Sequence, residues 1–244
     1  MAGVSRRVLA VAHRGDPYHE RENTLASFRS AVAAGADAVE LDVRRTADGV
    51  PVVVHDATLD RLWGHRRPVA GLTARELRDV TGGGVPTLDE ALATTAGVRT
   101  LVDLPERSAG TALAALAAVR RAGAAGRVYY SGDPVALRAV RTADADAEIC
   151  LTWQRTSRPR DAFLAEIGPR WLNYPFGLIT RRTIEEDRAR GLLVSAWTAD
   201  SPRTMRRLIA LGVDSITTNR VGALRSLIDR SDPAARPSRS GRPD

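Results

Sequence analysis

Apolar residues gather along this chain in short β-rich runs: Val8 to His13, Asp37 to Val43, Val52 to His55, Thr100 to Leu104, Arg127 to Ser131, Glu148 to Thr152, Trp171 to Tyr174, Leu192 to Trp197 and Ser215 to Thr218. Most are separated by segments of helical periodicity whose starts are well marked. Thr87-x-x-Glu90 and Thr183-x-x-Glu186 read as capping boxes, in which a hydroxyl and a glutamate three residues on satisfy each other's free backbone donors. Asp133-Pro134 and Ser201-Pro202 put a capping side chain before a proline at the first helical position. Gly35, Gly123, Gly191 and Gly212 stand where those helices should stop. Strands that alternate with helices predict a parallel sheet with right-handed crossovers.

One pair of runs breaks the alternation. Only Arg44 to Pro51 separates Val43 from Val52, too few residues for a helix, and Asp48-Gly49 within it is a strong hairpin signal. Setting the second hairpin strand aside leaves eight parallel strands, the number that closes a barrel. The expected fold is therefore an α/β TIM (β/α)8 barrel with an extra β-hairpin after the second strand, one domain over residues 1–230. From Ser231 to Asp244 the chain has three prolines and no apolar periodicity, which predicts a disordered tail.

The length of 244 residues suits a barrel, for which about 250 is typical. With 43% apolar and 27% charged residues, fibrous and wholly disordered architectures are excluded. The longest apolar stretch, Ala112 to Val119, is too short to cross a bilayer, and Val8 to Ala12 is too short for the apolar segment of a secretory signal, so the expected location is cytoplasmic. The 36 basic residues outnumber the 29 acidic ones for a net charge of +7, yet all are arginines spread along the chain. That distribution gives no support to nucleic-acid binding. The absence of lysine removes a Walker A loop, a pyridoxal Schiff base and any lysine nucleophile. The lone Cys150 allows neither an internal disulfide nor a thiolate zinc cage, and its strand-like setting reads as a small buried apolar residue.

Chemistry is concentrated at strand ends. Along Ala38 to Val43 the residues Val39, Leu41 and Val43 share one face and Glu40 and Asp42 the other. Because helices cover the outside of a barrel, the carboxylates must point inward, and two buried acids cost several kcal/mol unless something cationic offsets them. With Asp48-Gly49 as the central turn residues, Ala47 pairs with Val50 and His55 falls opposite Asp42; a one-residue shift puts it opposite Glu40, and only a three-residue loop turns it to the other face. His13 ends the first run and Asp103 the run from Thr100, both directed to the interior or rim. Three carboxylates and no soft ligand suit a hard divalent cation, Mg²⁺, Ca²⁺ or Mn²⁺, and disfavour zinc. Arg14 can clamp an anionic oxygen bidentately, and two histidines can exchange protons with attacking and leaving oxygens, a set of parts that fits cleavage of a phosphoester. His19 and His65, in polar loop-like segments, read as surface residues.

Taken in order, Ala12-His13-Arg14-Gly15, Glu22-Asn23-Thr24, Gly35 to Val43, Thr46-Ala47-Asp48-Gly49 and Val54-His55-Asp56 resemble the glycerophosphodiester phosphodiesterase (GDPD) family. Pro86 to Leu92, Ala196-Trp197-Thr198 and Leu211 to Asn219 are similar to its later signatures, so the resemblance runs from about residue 8 to 228. It implies a TIM barrel, metal-dependent hydrolysis of glycerophosphodiesters to glycerol phosphate and an alcohol, His13 and His55 as acid/base pair, and Glu40 and Asp42 as metal ligands. Trp197 resembles a rim tryptophan that walls the glycerol or head-group pocket, and Glu22 is assigned to orienting His13 or Arg14. The family's mid-barrel Glu-Ile-Lys is Asp103-Leu104-Pro105 here, so the third ligand is one methylene shorter and a lysine beside the phosphate is missing; Glu106 is the alternative third ligand. Arg21 replaces a proline and adds positive charge nearby.

The expected partner is a small-molecule phosphodiester, with no transmembrane segment. Two rivals accompany this reading: lysophospholipase D or sphingomyelinase D activity on lipid substrates, and a degenerate barrel that binds phosphodiesters with little turnover.

Overall fold

The computed structural model describes residues 7–231. In chain order the elements are β1 (Leu9–His13), α1 (Leu25–Ala33), β2 (Ala38–Arg45), β3 (Pro51–Val53), β4 (Thr58–Leu59), α2 (Asp60–Trp63), β5 (His65–Pro68), α3 (Ala74–Val80), α4 (Leu88–Thr94), β6 (Arg99–Leu104), α5 (Ala109–Arg121), β7 (Val128–Gly132), α6 (Pro134–Ala143), β8 (Glu148–Thr152), α7 (Asp161–Ile167), β9 (Trp171–Pro175), α8 (Arg181–Ala189), β10 (Leu193–Trp197), α9 (Pro202–Leu211), β11 (Ser215–Thr218) and α10 (Val221–Ser231). Parallel pairing runs β1-β2-β6-β7-β8-β9-β10-β11 and returns to β1, closing an eight-stranded barrel; β3 pairs antiparallel with β2 outside the ring.

Alternation along each strand sorts the side chains into two cores. Outward residues such as Val39, Leu41 and Val43 pack under the helices with Ala112, Ala115 and Leu116 of α5. Inward residues Val11, Ala38, Leu101, Tyr129, Cys150 and Trp171 fill the barrel, side chains the size of Val11 and Leu101 contributing roughly 1.5 to 3 kcal/mol each by leaving water. At the N-terminal end, Trp171 donates its Nε1 hydrogen to Glu148 at 2.6 Å, Arg99 pairs with Glu148 at 2.9 Å, and the Arg99 guanidinium covers the Tyr129 ring. The lower half of the barrel is thereby plugged, and the polar inward residues collect at the C-terminal rim.

The Thr87 capping box forms, and Asp133 and Ser201 cap their helices ahead of proline. The expected box at Thr183 does not form. Thr180 caps α8 and receives the Thr183 amide, so Thr183 is already inside the helix, and Glu186 turns instead to Arg182 and Arg158. Thr73 and Glu76 form a capping box at α3 that the sequence reading missed. Leu77 of that helix joins a satellite cluster with Val52, Val54, Leu59 of β4 and Leu72.

The register of the β2–β3 hairpin also differs from the expected one. Val43 pairs with Val53 and Thr46 donates to the Val50 carbonyl at 3.0 Å, leaving Ala47-Asp48-Gly49 as a three-residue loop with Gly49 at φ +87°. Val54, rather than His55, donates its amide to Asp42. His55 nonetheless reaches the carboxylates, because β3 ends at Val53 and Arg44 Nε donates to the His55 carbonyl at 2.7 Å, holding the turn that brings the imidazole back over the rim. Of the tail expected from Ser231 to Asp244, Ser231 is instead the last residue of α10, and the remainder lies outside the described residues.

Candidate active site

A cavity of about 350 Å³ opens at the C-terminal rim, and His13, Arg14, Glu40, Asp42, His55, Asp103 and Trp197 all line it. They come from β1 and the residue after it, β2, the loop after β3, β6 and β10, so ring closure assembles the group. Glu22 is not on the lining; it stands behind Arg14 and accepts from its guanidinium at 2.9 Å and from Arg61 at 2.6 Å. Glu106 faces away toward Arg44, at 3.0 Å, and Thr111, so Asp103 remains the acid at that position. Arg21 lies over the Trp63 ring at 4.3 Å and adds no charge to the lining. Pro105 does line the cavity, and Arg14 is the one arginine among the described lining residues.

The turn after β1 is held in an uncommon backbone state. Arg14 has φ +57° and Asn23 has φ +58°, conformations that cost a non-glycine residue about 1 to 2 kcal/mol. Contacts overdetermine both. The Arg14 amide donates to Glu40 Oε2 at 2.9 Å, and the Arg14 carbonyl accepts from Ser27 Oγ and the Asn23 amide, both at 3.0 Å. Asn23 Nδ2 donates to Asp42 Oδ2 at 2.8 Å. Gly15 is required beside them, since at φ +90° a Cβ would sit 2.3 Å from Ser27 Oγ. The strain aims the Arg14 guanidinium between Glu22 and Asp42, its Nε 3.3 Å from Asp42 Oδ2.

Each histidine has a distinct partner. His13 Nδ1 lies 2.8 Å from Asn219 Oδ1, while Asn219 Nδ2 donates to Asp200 Oδ2 at 2.8 Å. With its amide so oriented, Asn219 presents only an acceptor, so neutral His13 carries its proton on Nδ1 and leaves the Nε2 lone pair on the side of Glu40, whose Oε2 is 4.0 Å away. Burial, then the neighbouring Arg14 charge, lowers the His13 pKa. His55, at 40% side-chain exposure against 18% for His13, is the outer imidazole. Its Nδ1 lies 2.7 Å from Asp56 Oδ1, and a hydrogen bond from Arg61 holds the Asp56 carboxyl down to about 2.

Glu40 and Asp42 are buried, at 6% and 3% exposure. Burial, followed by the charges of Asp42 and Asp103, raises Glu40 well above the usual carboxylate range; burial and Asp42 push Asp103 up to about 6. Each of the three acids spends one oxygen on the protein: Glu40 Oε2 on the Arg14 amide, Asp42 Oδ2 on Asn23, and Asp103 Oδ1 on the Ser131 hydroxyl at 2.6 Å. Their other oxygens have no hydrogen-bond partner among the described residues and are not among the sealed polar atoms. Among those residues no three His, Cys, Asp or Glu side chains stand at metal-ligand spacing. The donor chemistry nevertheless fits a hard cation: three mutually repelling carboxylates, each with an unclaimed oxygen.

The sequence named seven of the residues that line the cavity and Glu22 behind them, but gave no role to Ser131, Thr152, Gln154, Asn173 or Thr217, which also line it. Asp56 sat inside a quoted motif without a role, Arg61 carried no signal, and Asp200 was visible only as a residue before a helix cap.

A model of the glycerophosphoryl diester phosphodiesterase family matches residues 13–223. A glycerophosphodiester phosphodiesterase of Caldanaerobacter subterraneus subsp. tengcongensis is 29% identical over 239 residues, covering 91% of this chain and 98% of the relative. The crystal structure of a glycerophosphodiester phosphodiesterase from Thermotoga maritima superposes with a TM-score of 0.79 at 26% identity, covering 90% of this chain and 98% of that one. An Oleispira antarctica phosphodiesterase, solved in complex with the product sn-glycerol-3-phosphate, shares the fold with a TM-score of 0.82 at 22% identity, over 90% of this chain and 96% of that one.

Proposed function

We propose that this chain, which belongs to the glycerophosphoryl diester phosphodiesterase family, hydrolyses glycerophosphodiesters to glycerol phosphate and an alcohol, using two histidines for proton transfer and a divalent cation held by Glu40, Asp42 and Asp103. The observation that carries the reading is one cavity lined by three buried carboxylates, two differently partnered imidazoles and a strained, ion-paired arginine. A Mg²⁺ or Ca²⁺ ion bound there would neutralise the carboxylates and polarise the phosphoryl oxygens.

The residues themselves divide the remaining work. Arg14 contacts a phosphoryl oxygen, its guanidinium kept in place by Glu22 and Asp42. His13, with its proton on Nδ1 and a free Nε2, accepts a proton from the attacking oxygen, which is a water that yields glycerol phosphate directly or the substrate's own glycerol hydroxyl, which yields a cyclic phosphate that water then opens. His55, facing an ionised Asp56, donates a proton to the leaving oxygen. Trp197 walls the space beside the bound diester.

Because His13 acts in its neutral form and its pKa is lowered, kcat/KM should rise with pH along an acid limb centred below 6.5. The measurement is a pH–rate profile on glycerophosphocholine, and a limb centred well above 6.5 counts against His13 as the base. The broader test is hydrolysis of a panel of glycerophosphodiesters with Mg²⁺, Ca²⁺ or Mn²⁺ added singly. Turnover is expected with at least one ion and should vanish in chelator; no release of alcohol with any ion, or full turnover in chelator, overturns the reading.

A further inference from the structure

We propose that Arg61, which is not on the cavity lining, is a positioning residue for the reaction: by gripping the carboxylate behind each, it locks the phosphate-binding Arg14 and the proton-donating His55 into one arrangement. The inference rests on the hydrolytic reading above and gives that site a further working residue.

One guanidinium serves two acids. Nη1 and Nη2 of Arg61 donate to Glu22 Oε2 and Oε1 at 3.1 and 2.6 Å, and its Nε donates to Asp56 Oδ2 at 2.6 Å. Each acid makes its other contact toward the cavity. Glu22 Oε1 also accepts from Arg14 Nη1 at 2.9 Å, and Asp56 Oδ1 lies 2.7 Å from His55 Nδ1. Arg14 and His55 both line the cavity, so an unbroken chain of contacts joins them from behind through Glu22, Arg61 and Asp56. A planar fork of fixed donors is what such a bridge requires; a lysine ammonium has no such fork. Arg61 is 47% exposed, and an exposed ion pair by itself adds little stability. Its two acids are more covered, at 14% and 26%, and each already holds a cavity residue, so the work of the bridge is orientation.

Arg61 is itself held on both sides. Leu59, two residues before it, is fully buried in the satellite cluster, and Trp63, two residues after it, packs against the same cluster. Gly84 leaves room for that indole, since a Cβ there would overlap the Trp63 ring. The Arg21 guanidinium covers the other ring contact at 4.3 Å. Arg21 and Glu22 are neighbours in the β1–α1 loop, so α2 and that loop are clasped twice: an arginine of the loop lies on a ring of α2, and an arginine of α2 forks onto an acid of the loop. The consequence for His55 is specific. A hydrogen bond from Arg61 holds Asp56 ionised, its carboxyl down to about 2, and fixes it on the Nδ1 side of the imidazole. His55 then keeps a proton on Nδ1 and gives up the one on Nε2.

Two substrates with the same glycerol portion separate orientation from a merely structural role. The choline alkoxide of glycerophosphocholine needs a proton as it leaves, whereas glycerol 3-(p-nitrophenyl phosphate) releases a stable phenolate that needs none. Steady-state kcat and KM are measured on both for wild type, Arg61→Met, Asp56→Asn, Glu22→Gln and the Arg61→Met/Asp56→Asn double variant, with thermal melts to establish folding. In Arg61→Met, kcat/KM should fall on both substrates as Arg14 loosens, and kcat on glycerophosphocholine should fall at least about tenfold further, because His55 no longer delivers its proton in line. Glu22→Gln should reproduce the common loss, and Asp56→Asn the part that depends on the leaving group. In the double variant that leaving-group dependence should be no larger than in Asp56→Asn alone, since both changes act through His55. Kinetics unchanged within twofold, equal falls on the two substrates, or additive losses in the double variant each overturn the inference. Should Arg61→Met fold poorly, Arg61→Ser, too short to reach either acid, carries the same comparison. Wild-type protein that hydrolyses neither substrate defeats the hydrolytic reading itself, and this inference with it.

Discussion

Replacing His13 with alanine is expected to lower kcat for glycerophosphodiester hydrolysis by roughly 10²- to 10⁴-fold, the usual worth of a positioned general base. The fold should survive. His13 ends β1 on the cavity lining, and its one hydrogen bond is to Asn219, whose amide stays anchored by Asp200. The melting temperature should move little, since the removed imidazole is replaced by water rather than by a sealed void. The same anchoring makes Asn219→Leu informative: it leaves the imidazole in place and removes the acceptor that holds the proton on Nδ1, so kcat falls less than in His13→Ala. A His13→Ala enzyme retaining a rate within tenfold of wild type would remove this residue from proton transfer.

The second large effect is expected at Asp103. Its pKa is pushed up to about 6 in the fold, whereas an exposed aspartate titrates near 4. The folded state therefore holds the proton more tightly than the unfolded one. Its contribution to stability is complete below about pH 4 and is lost as pH rises through about 6, a loss on the order of 2 to 3 kcal/mol. Metal-free protein should accordingly melt at a lower temperature at pH 7 than at pH 5, and added Mg²⁺ or Ca²⁺ should raise the pH 7 value by binding only the folded state. Asp103→Asn should remove the Asp103 share of that pH dependence, leaving the share owed to Glu40, and make the metal-free protein more stable at pH 7, because the amide keeps a partner for Ser131 and removes the repulsion with Asp42. Its hydrolytic rate should fall by about 10²-fold with a higher metal requirement, in keeping with the loss of one charged ligand. Thermal melts of both proteins from pH 4 to 7, with and without ion, test this; identical curves would show that Asp103 is no part of a cation site.

These expectations rest on two classes of residue that differ in how they could be read. Period-two alternation is local, so Glu40 and Asp42 were placed on the inward face from six consecutive residues, and the closed barrel keeps them there at 6% and 3% exposure. Strand ends were equally legible, because apolar runs stop where the chain meets the rim; His13 and Asp103 stand there. The hairpin shows the limit of local reading. Asp48-Gly49 announced a turn, but Thr46 closes it across three residues, and the alternation that should then have turned His55 away is cancelled by the end of β3 and the grip of Arg44.

Amino-acid order alone was enough to specify eight parallel strands, the helices between them and the acids that face inward, since each depends on propensity and periodicity within a short window. Ring closure decided the rest. It joins β1 to β11 and thereby brings Asn219 to His13 across 206 positions, which settles where the proton sits on that imidazole. Packing of the β4–α2–β5 excursion against the β1–α1 loop likewise brings Arg61 to Glu22 across 39 positions. Such pairings join side chains whose separation along the chain carries no period, so their partners are defined only by the packed three-dimensional arrangement.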